Sequence, residues 1–261
     1  MKHIIVAGCT AGVDMLTSYF LWLIRYSRKP QKYPLEKRYK KVTRLCKHVL
    51  RRLSVDLYVT GKENIPNETV CFFPNHQSAF DALAILTTLE KPTSFVCKKE
   101  IWKFFMLGRA ARTLEAEFMD REDLRQSLKV MNRVKDDLAA HTKNWIIFPE
   151  GTRNLELISP LNDFHHGSFK SAVNAKVPLV PVAMYGTSRV LKTKPEFKRY
   201  PVQIAFLKPI MPEEYAGKTT AEIAKIVQER VQSEITFKLR PLDHELMSKQ
   251  KNSKYKPNLN Y

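Results

Sequence analysis

Apolar residues run almost without interruption from position 4 to position 24 (IIVAGCTAGVDMLTSYFLWLI). These 21 residues have about the length at which a helix crosses a bilayer core. The run is not uniform, because Thr10, Asp14, Thr17 and Ser18 fall at i, i+4, i+7 and i+8 and line one polar stripe. An aspartate at the bilayer centre costs about 2.5 to 3.5 kcal/mol on insertion scales, so Asp14 favours a helix lying in the interface or half inserted over one that spans. The period then changes. Tyr39, Val42, Cys46, Val49, Leu50 and Leu53 keep helical spacing and predict a second, amphipathic helix. After it, Val55, Leu57 and Val59 alternate with Asp56, Tyr58 and Thr60, the period of a strand, and positions 61–67 with Gly61 and Pro66 supply its turn.

Five more short apolar runs, at positions 70–73, 94–97, 145–148, 179–184 and 202–207, are rich in β-forming residues and mostly separated by helical patterns. The clearest helix covers about 123–141, where Leu124, Leu128, Met131, Val134 and Leu138 share a face; another starts at Thr219, which forms a Thr-x-x-Glu capping box with Glu222. This alternation predicts an α/β fold with a mostly buried sheet flanked by helices. Three parts are expected: membrane-associating helices at 1–54, a catalytic domain at 55–246 and a basic flexible tail at 247–261.

Charge changes the picture of the N-terminal part. The chain carries 44 Lys and Arg against 26 Asp and Glu, a formal charge of +18. Twelve of the basic residues lie between Arg25 and Arg52, where Glu36 is the one acid. Such a balance implies a polyanionic partner: nucleic acid, an anionic leaflet or phosphorylated substrates. No nucleic-acid-binding motif is present, and such a partner leaves the apolar run unexplained. An anionic membrane surface accounts for both, since each basic group beside it contributes about 1 kcal/mol. The four cysteines, Cys9, Cys46, Cys71 and Cys97, show neither a CxxC nor histidines at zinc-ligand spacing. They read as reduced, mostly buried thiols of a protein on the cytoplasmic face of a membrane, with no metal site.

Candidate chemistry gathers in two segments. Phe73-Pro74-Asn75-His76-Gln77-Ser78-Ala79-Phe80-Asp81 ends an apolar strand and opens a helical run, so His76 stands at a strand-to-helix turn with Asp81 in the first helical turn. There the aspartate can accept the imidazole N–H and leave the other nitrogen to take a proton. A bland reading competes on equal terms: Ser78 and Asp81 alone make an ordinary helix start. Phe148-Pro149-Glu150-Gly151-Thr152-Arg153-Asn154 likewise follows an apolar strand. Gly151 would let the backbone approach a ligand, Thr152 can donate, and Arg153 offers a planar fork that matches phosphate. Here too a surface ion pair between Glu150 and Arg153 is an alternative.

Taken together, NHQSAFD with His76 and Asp81, and FPEGTRN 72 residues further on, resemble the histidine-four-residues-aspartate and Glu-Gly-Thr-Arg motifs of the glycerolipid acyltransferases, in particular the 1-acyl-sn-glycerol-3-phosphate acyltransferases. Phe118-Met119-Asp120-Arg121 looks like the family's block with a substrate-binding arginine. The segment from Val177 to Val182 looks like its proline-bearing strand. The resemblance covers about residues 55–207. It departs from the family at Asn154, where many relatives carry serine, and at His165-His166-Gly167, where basic residues are frequent.

The resemblance implies a mixed-sheet acyltransferase fold and no cofactor, with acyl-CoA or acyl-carrier protein as donor substrate. The expected reaction moves a fatty acyl group to the free hydroxyl of 1-acyl-sn-glycerol 3-phosphate and makes phosphatidic acid in phospholipid biosynthesis. His76 and Asp81 would be catalytic, and Arg121, Glu150, Gly151, Thr152 and Arg153 would bind substrate. Backbone N–H groups near Ser78 are candidate oxyanion donors. Rival readings are another lysophospholipid or glycerol 3-phosphate as acceptor, or a non-catalytic basic membrane binder. A serine hydrolase is disfavoured by the lack of a Gly-x-Ser-x-Gly elbow.

Overall fold

The computed structural model describes residue 17 and residues 19–155, 160–190 and 199–249. The expectations for Asp14, the polar stripe of the first apolar run, Cys9 and most of the tail lie outside the described residues.

A helical turn over Tyr19–Leu23 leads into α1 (Ile24–Arg28) and α2 (Leu35–Arg52). The globular part continues as β1 (Val55–Thr60), β2 (Cys71–Pro74), α3 (Asp81–Leu86), β3 (Thr93–Lys98), α4 (Leu107–Thr113), β4 (Glu117–Met119), α5 (Leu124–Ala139) and β5 (Asn144–Ile146). It ends with α6 (Lys170–Asn174), β6 (Leu179–Tyr185), β7 (Tyr200–Phe206), α7 (Pro212–Tyr215), α8 (Thr220–Glu234) and α9 (Arg240–Ser248). The seven strands lie in the order β1-β7-β6-β2-β5-β3-β4, and every pair is parallel except β6 with β7. The predicted mixed, helix-flanked sheet is therefore present. Strand β4 escaped the periodicity because it is three residues long and only half buried at the sheet's edge.

The sheet separates two apolar cores, and successive residues of its central strands serve opposite ones, as the pleat requires. In β2, Phe72 faces the core closed by α2, α3 and α4, while Cys71 and Phe73 face the core closed by α5, α6 and α8. The side of each helix matters for the site. The connection leaving β2 runs through α3 to β3, in one direction along the sheet. The connection leaving the adjacent β5 runs through α6 to β6, in the other. The carboxyl ends of β2 and β5 thus form a topological switch point, the place where open α/β sheets leave a crevice for ligand.

Two expectations are corrected. α2 falls among the helices expected at 1–54 to associate with a membrane, but its apolar stripe is not what meets one: Tyr39, Val42, Cys46 and Leu50 are buried in the first core at 7% exposure or less. Periodicity reports that a face is buried and not what covers it; here the sheet does. The helix is also tied to the domain by Arg38, which is 3% exposed and donates to the carbonyls of Tyr33 and Thr113 and to Glu115 at 2.5 Å. Burial would push Glu115 up, but Lys143 and Arg38 bonded to its carboxylate hold it below its ordinary value. The tail, expected from position 247, starts too early: Met247 lies in α9 and is fully buried in the first core. Among the described residues no helix is long and apolar enough to cross a membrane.

Candidate active site

β2 delivers its last residue, Pro74, to the switch point, and the chain turns sharply before α3. Two side chains that the motif reading left without a role hold this turn. Asn75 continues the ladder into β6 by side chain, donating to the carbonyl of Met184 at 3.1 Å and accepting from its amide at 2.7 Å. Gln77 accepts from the amide of Gly186 at 3.0 Å. Asn75 and Gln77 are buried, so these bonds replace water the two amides have lost. Polar residues directly after an apolar strand were the signal that could have singled them out.

The turn brings His76 and Asp81 together. Nδ1 of His76 lies 2.7 Å from Oδ2 of Asp81, and the imidazole rests against the Phe148 ring with centroids 4.2 Å apart. Asp81 is fully buried; its Oδ2 also accepts the amides of Gln77 at 2.7 Å and Ser78 at 2.8 Å, and its Oδ1 accepts the hydroxyl of Thr187 at 2.5 Å. Four donors offset the hydration that burial removes. The helix-start reading is thus half right, since Asp81 does bond amides of its own turn, but Ser78 Oγ accepts from Phe80 and not from Asp81. The same amide bonds correct the oxyanion expectation. Gln77 and Ser78 spend their N–H groups on Asp81 and Phe80 spends its own on Ser78. Of the amides from His76 to Asp81, only that of Ala79 has no partner among the described residues.

β5 places the second motif beside this turn. Glu150, 2% exposed, accepts from the amide of His76 at 2.6 Å and from that of Asn162 at 3.0 Å, so it ties the two ends of its own connection to the His76 turn. Burial raises its pKa, against the lowering effect of the two amide bonds. With both oxygens occupied Glu150 makes no ion pair with Arg153. The return contact comes from Asn154, whose amide donates to the carbonyl of His76 at 2.7 Å. Gly151 takes φ +66°, and a Cβ there would meet the His165 ring at 3.0 Å. Thr152 and Arg153 are exposed on this loop, and Arg153 has no hydrogen-bond or ion-pair partner among the described residues.

Arg121 is exposed at the carboxyl end of β4, on the same sheet edge but three strands from β2, roughly 14 Å at the usual strand spacing. The structure therefore gathers His76, Asp81 and the 150–153 loop tightly and leaves Arg121 at the rim. Thr187 is the bonded partner that sequence reasoning missed outright; it lies in no motif. A cavity of about 330 Å³ lined by Lys99, Glu100, Trp102, Lys103 and Phe118 opens at the ends of β3 and β4. A larger one, about 690 Å³, lies at the opposite sheet edge around Gly61 and Lys208 and touches no motif residue. Among the described residues no group of three or more His, Cys, Asp or Glu is placed to hold a metal ion.

The Acyltransferase family model matches residues 56–185, a span that runs from β1 to the end of β6 and contains both the His76 turn and the 150–153 loop. The chain is 30% identical over 216 residues to the probable 1-acyl-sn-glycerol-3-phosphate acyltransferase of Mycoplasma pneumoniae, covering 77% of this chain and 79% of that protein. It is 26% identical over 186 residues to the 1-acyl-sn-glycerol-3-phosphate acyltransferase of Saccharomyces cerevisiae, covering 70% and 61%. The crystal structure of the 1-acyl-sn-glycerophosphate acyltransferase PlsC of Thermotoga maritima superposes with a TM-score of 0.65 at 26% identity, covering 89% of this chain and 90% of that one. The chain belongs to the 1-acyl-sn-glycerol-3-phosphate acyltransferase family.

Proposed function

We propose that this protein moves a fatty acyl group from an acyl thioester to the free hydroxyl of 1-acyl-sn-glycerol 3-phosphate, making phosphatidic acid. The observation that carries the reading is the 2.7 Å bond between His76 Nδ1 and the buried Asp81. With Nδ1–H donated to the carboxylate, Nε2 is the ring's base. It takes the proton of the acceptor hydroxyl as that oxygen attacks the thioester carbonyl. The tetrahedral adduct then collapses and expels the thiolate, which leaves with the proton from Nε2. Asp81 stabilises the imidazolium formed between the two steps. Arg153, and Arg121 at the rim, offer forks for the acceptor phosphate, and Gly151 and Thr152 let backbone and hydroxyl come close to it. Glu150 acts at one remove by holding the His76 turn against the 150–153 loop.

The donor carrier is acyl-CoA or acyl-carrier protein, and the reaction runs at an anionic bilayer surface on its cytoplasmic face. The segment after β3 supports the bilayer: Trp102 and Phe104 are more than half exposed on either side of Lys103, with Lys99 just before them, the pairing of aromatic and basic groups that suits a headgroup region. It follows the strand next to β5, so it shares an edge with His76. The free thiols of Cys46, Cys71 and Cys97 accord with a reducing compartment.

The test supplies detergent-solubilised protein with lysophosphatidic acid plus acyl-CoA and, separately, acyl-carrier-protein thioester, and measures phosphatidic acid by mass spectrometry. Product with one donor names the carrier. No product with either, from protein that acylates another lysophospholipid, replaces the acceptor; equal product from the His76→Ala variant removes the mechanism.

A further inference from the structure

Three of the four donors to Asp81 belong to its own turn. The fourth does not. Thr187 lies 106 residues further along the chain, yet its Oγ1 sits 2.5 Å from Asp81 Oδ1, with Thr187 1% exposed and Asp81 not exposed at all. We propose that Thr187 is a positioning residue of the acyl transfer, holding one oxygen of Asp81 so that the other stays aimed at Nδ1 of His76. The proposal rests on His76 being the base.

The two oxygens of Asp81 divide the work. Oδ2 carries His76 and two amides, whereas among the described residues Oδ1 carries Thr187 alone. Rotation of a carboxylate about its last bond is broad and roughly two-fold, so the turn by itself holds the carboxylate plane weakly. A donor on the far oxygen sets it. Threonine suits this place, because branching at Cβ stiffens its first torsion and its hydroxyl has one proton, which here goes to Asp81.

Thr187 is itself firmly held. Gly186 before it takes φ +95°, and a Cβ there would lie 2.5 Å from the carbonyl oxygen of Pro201, so the chain reaches Thr187 by a path that glycine permits. The Gly186 amide donates to Gln77, in the His76 turn. Two residues beyond Thr187, Arg189 pairs with Asp243 of α9 at 2.5 Å, both side chains being 4% exposed. The hydroxyl is therefore fixed relative to the His76 turn on one side and to α9 on the other.

Two variants separate the hydroxyl from the space it fills. Thr187→Val keeps the shape and removes the donor; Thr187→Ser keeps the donor. For Thr187→Val we expect kcat to fall about 10- to 100-fold with KM for acceptor and donor within about twofold of the parent, and for Thr187→Ser a kcat within about threefold of it. Thr187→Ala, which asks for less space, takes the place of the valine variant if that fails to fold and has the same expected kinetics. Nitrogen-15 spectra of histidine-labelled protein supply a readout independent of turnover: the parent should show His76 protonated on Nδ1, and the valine variant a mixture of tautomers. If neither protein transfers acyl groups but the tautomer is lost, the positioning role stands and the chemistry assigned to His76 falls. A valine variant with parental kcat and parental tautomer overturns the proposal, as does a serine variant no faster than the valine one at equal melting temperature.

Discussion

Asp81 and Arg153 are both close to the His76 turn at one sheet edge, yet Asp81 is wholly buried among four donors, while Arg153 is exposed with no partner among the described residues. The difference teaches how the site divides its tasks. A base must hold one tautomer and one direction through every turnover, which calls for bonds completed inside the protein before substrate arrives. A group that grips a substrate phosphate must keep its donors available, and one already paired would have to break that pair first. Loss of the buried group should therefore appear in kcat, and loss of the exposed one in KM.

His76→Ala breaks the comparison at its centre and should have the largest effect, a fall in kcat of at least 10²-fold with the acceptor KM little changed, read by steady-state assay on protein that melts normally. Asp81→Asn comes next. An amide group can turn its NH2 to Thr187, whose hydroxyl then accepts instead of donating, and keep its oxygen for the other three donors, but it carries no negative charge to stabilise the imidazolium, and kcat should drop about 10²-fold together with a lower melting temperature. If instead Asp81→Asn raised KM alone, the distinction between inner and outer groups would be lost.

Arg153→Ala should raise the acceptor KM about tenfold and leave kcat within about threefold, with Arg153→Lys between parent and alanine variant because an ammonium keeps the charge but not the fork. Higher salt should raise the parental KM in the same direction, by screening an exposed charge. The smallest effect belongs to Glu150. Its pKa is raised by burial, so the folded protein binds the proton more tightly than the unfolded chain does. Its contribution to stability is greatest at acid pH and declines as pH rises through the window just above the ordinary glutamate value. Melting temperature followed across that window should decline less in Glu150→Gln, although the substitution also weakens one of the two amide bonds and costs about 1 kcal/mol overall.

Much of the fold and of the site is legible in the order of residues alone. The helix beginning at Thr219 has its predicted capping box, with Thr219 and Glu222 bonded reciprocally, and the helix expected from about 123 is capped by Asp123. These signals are local: each lies within one helical turn, where side chain and backbone meet whatever the rest of the chain does. His76 and Asp81 belong to the same class, because a turn before a helix start brings residues five apart into contact. The short β4 was illegible since three half-buried residues carry no period, and Thr187 was illegible since nothing around it marks its partner.

The amino-acid sequence by itself determined which faces are apolar, where helices start and that a histidine and an aspartate share one turn. Only the tertiary structure decided what covers each face and what completes each bond. Hydrophobic burial is non-directional, so the stripe of α2 was satisfied as well by a sheet as by a bilayer, and the order of strands chose the sheet. Hydrogen bonds are directional and reach about 3 Å, so the contacts of Glu150 with His76 and of Thr187 with Asp81 exist only because β5 and β6 flank β2.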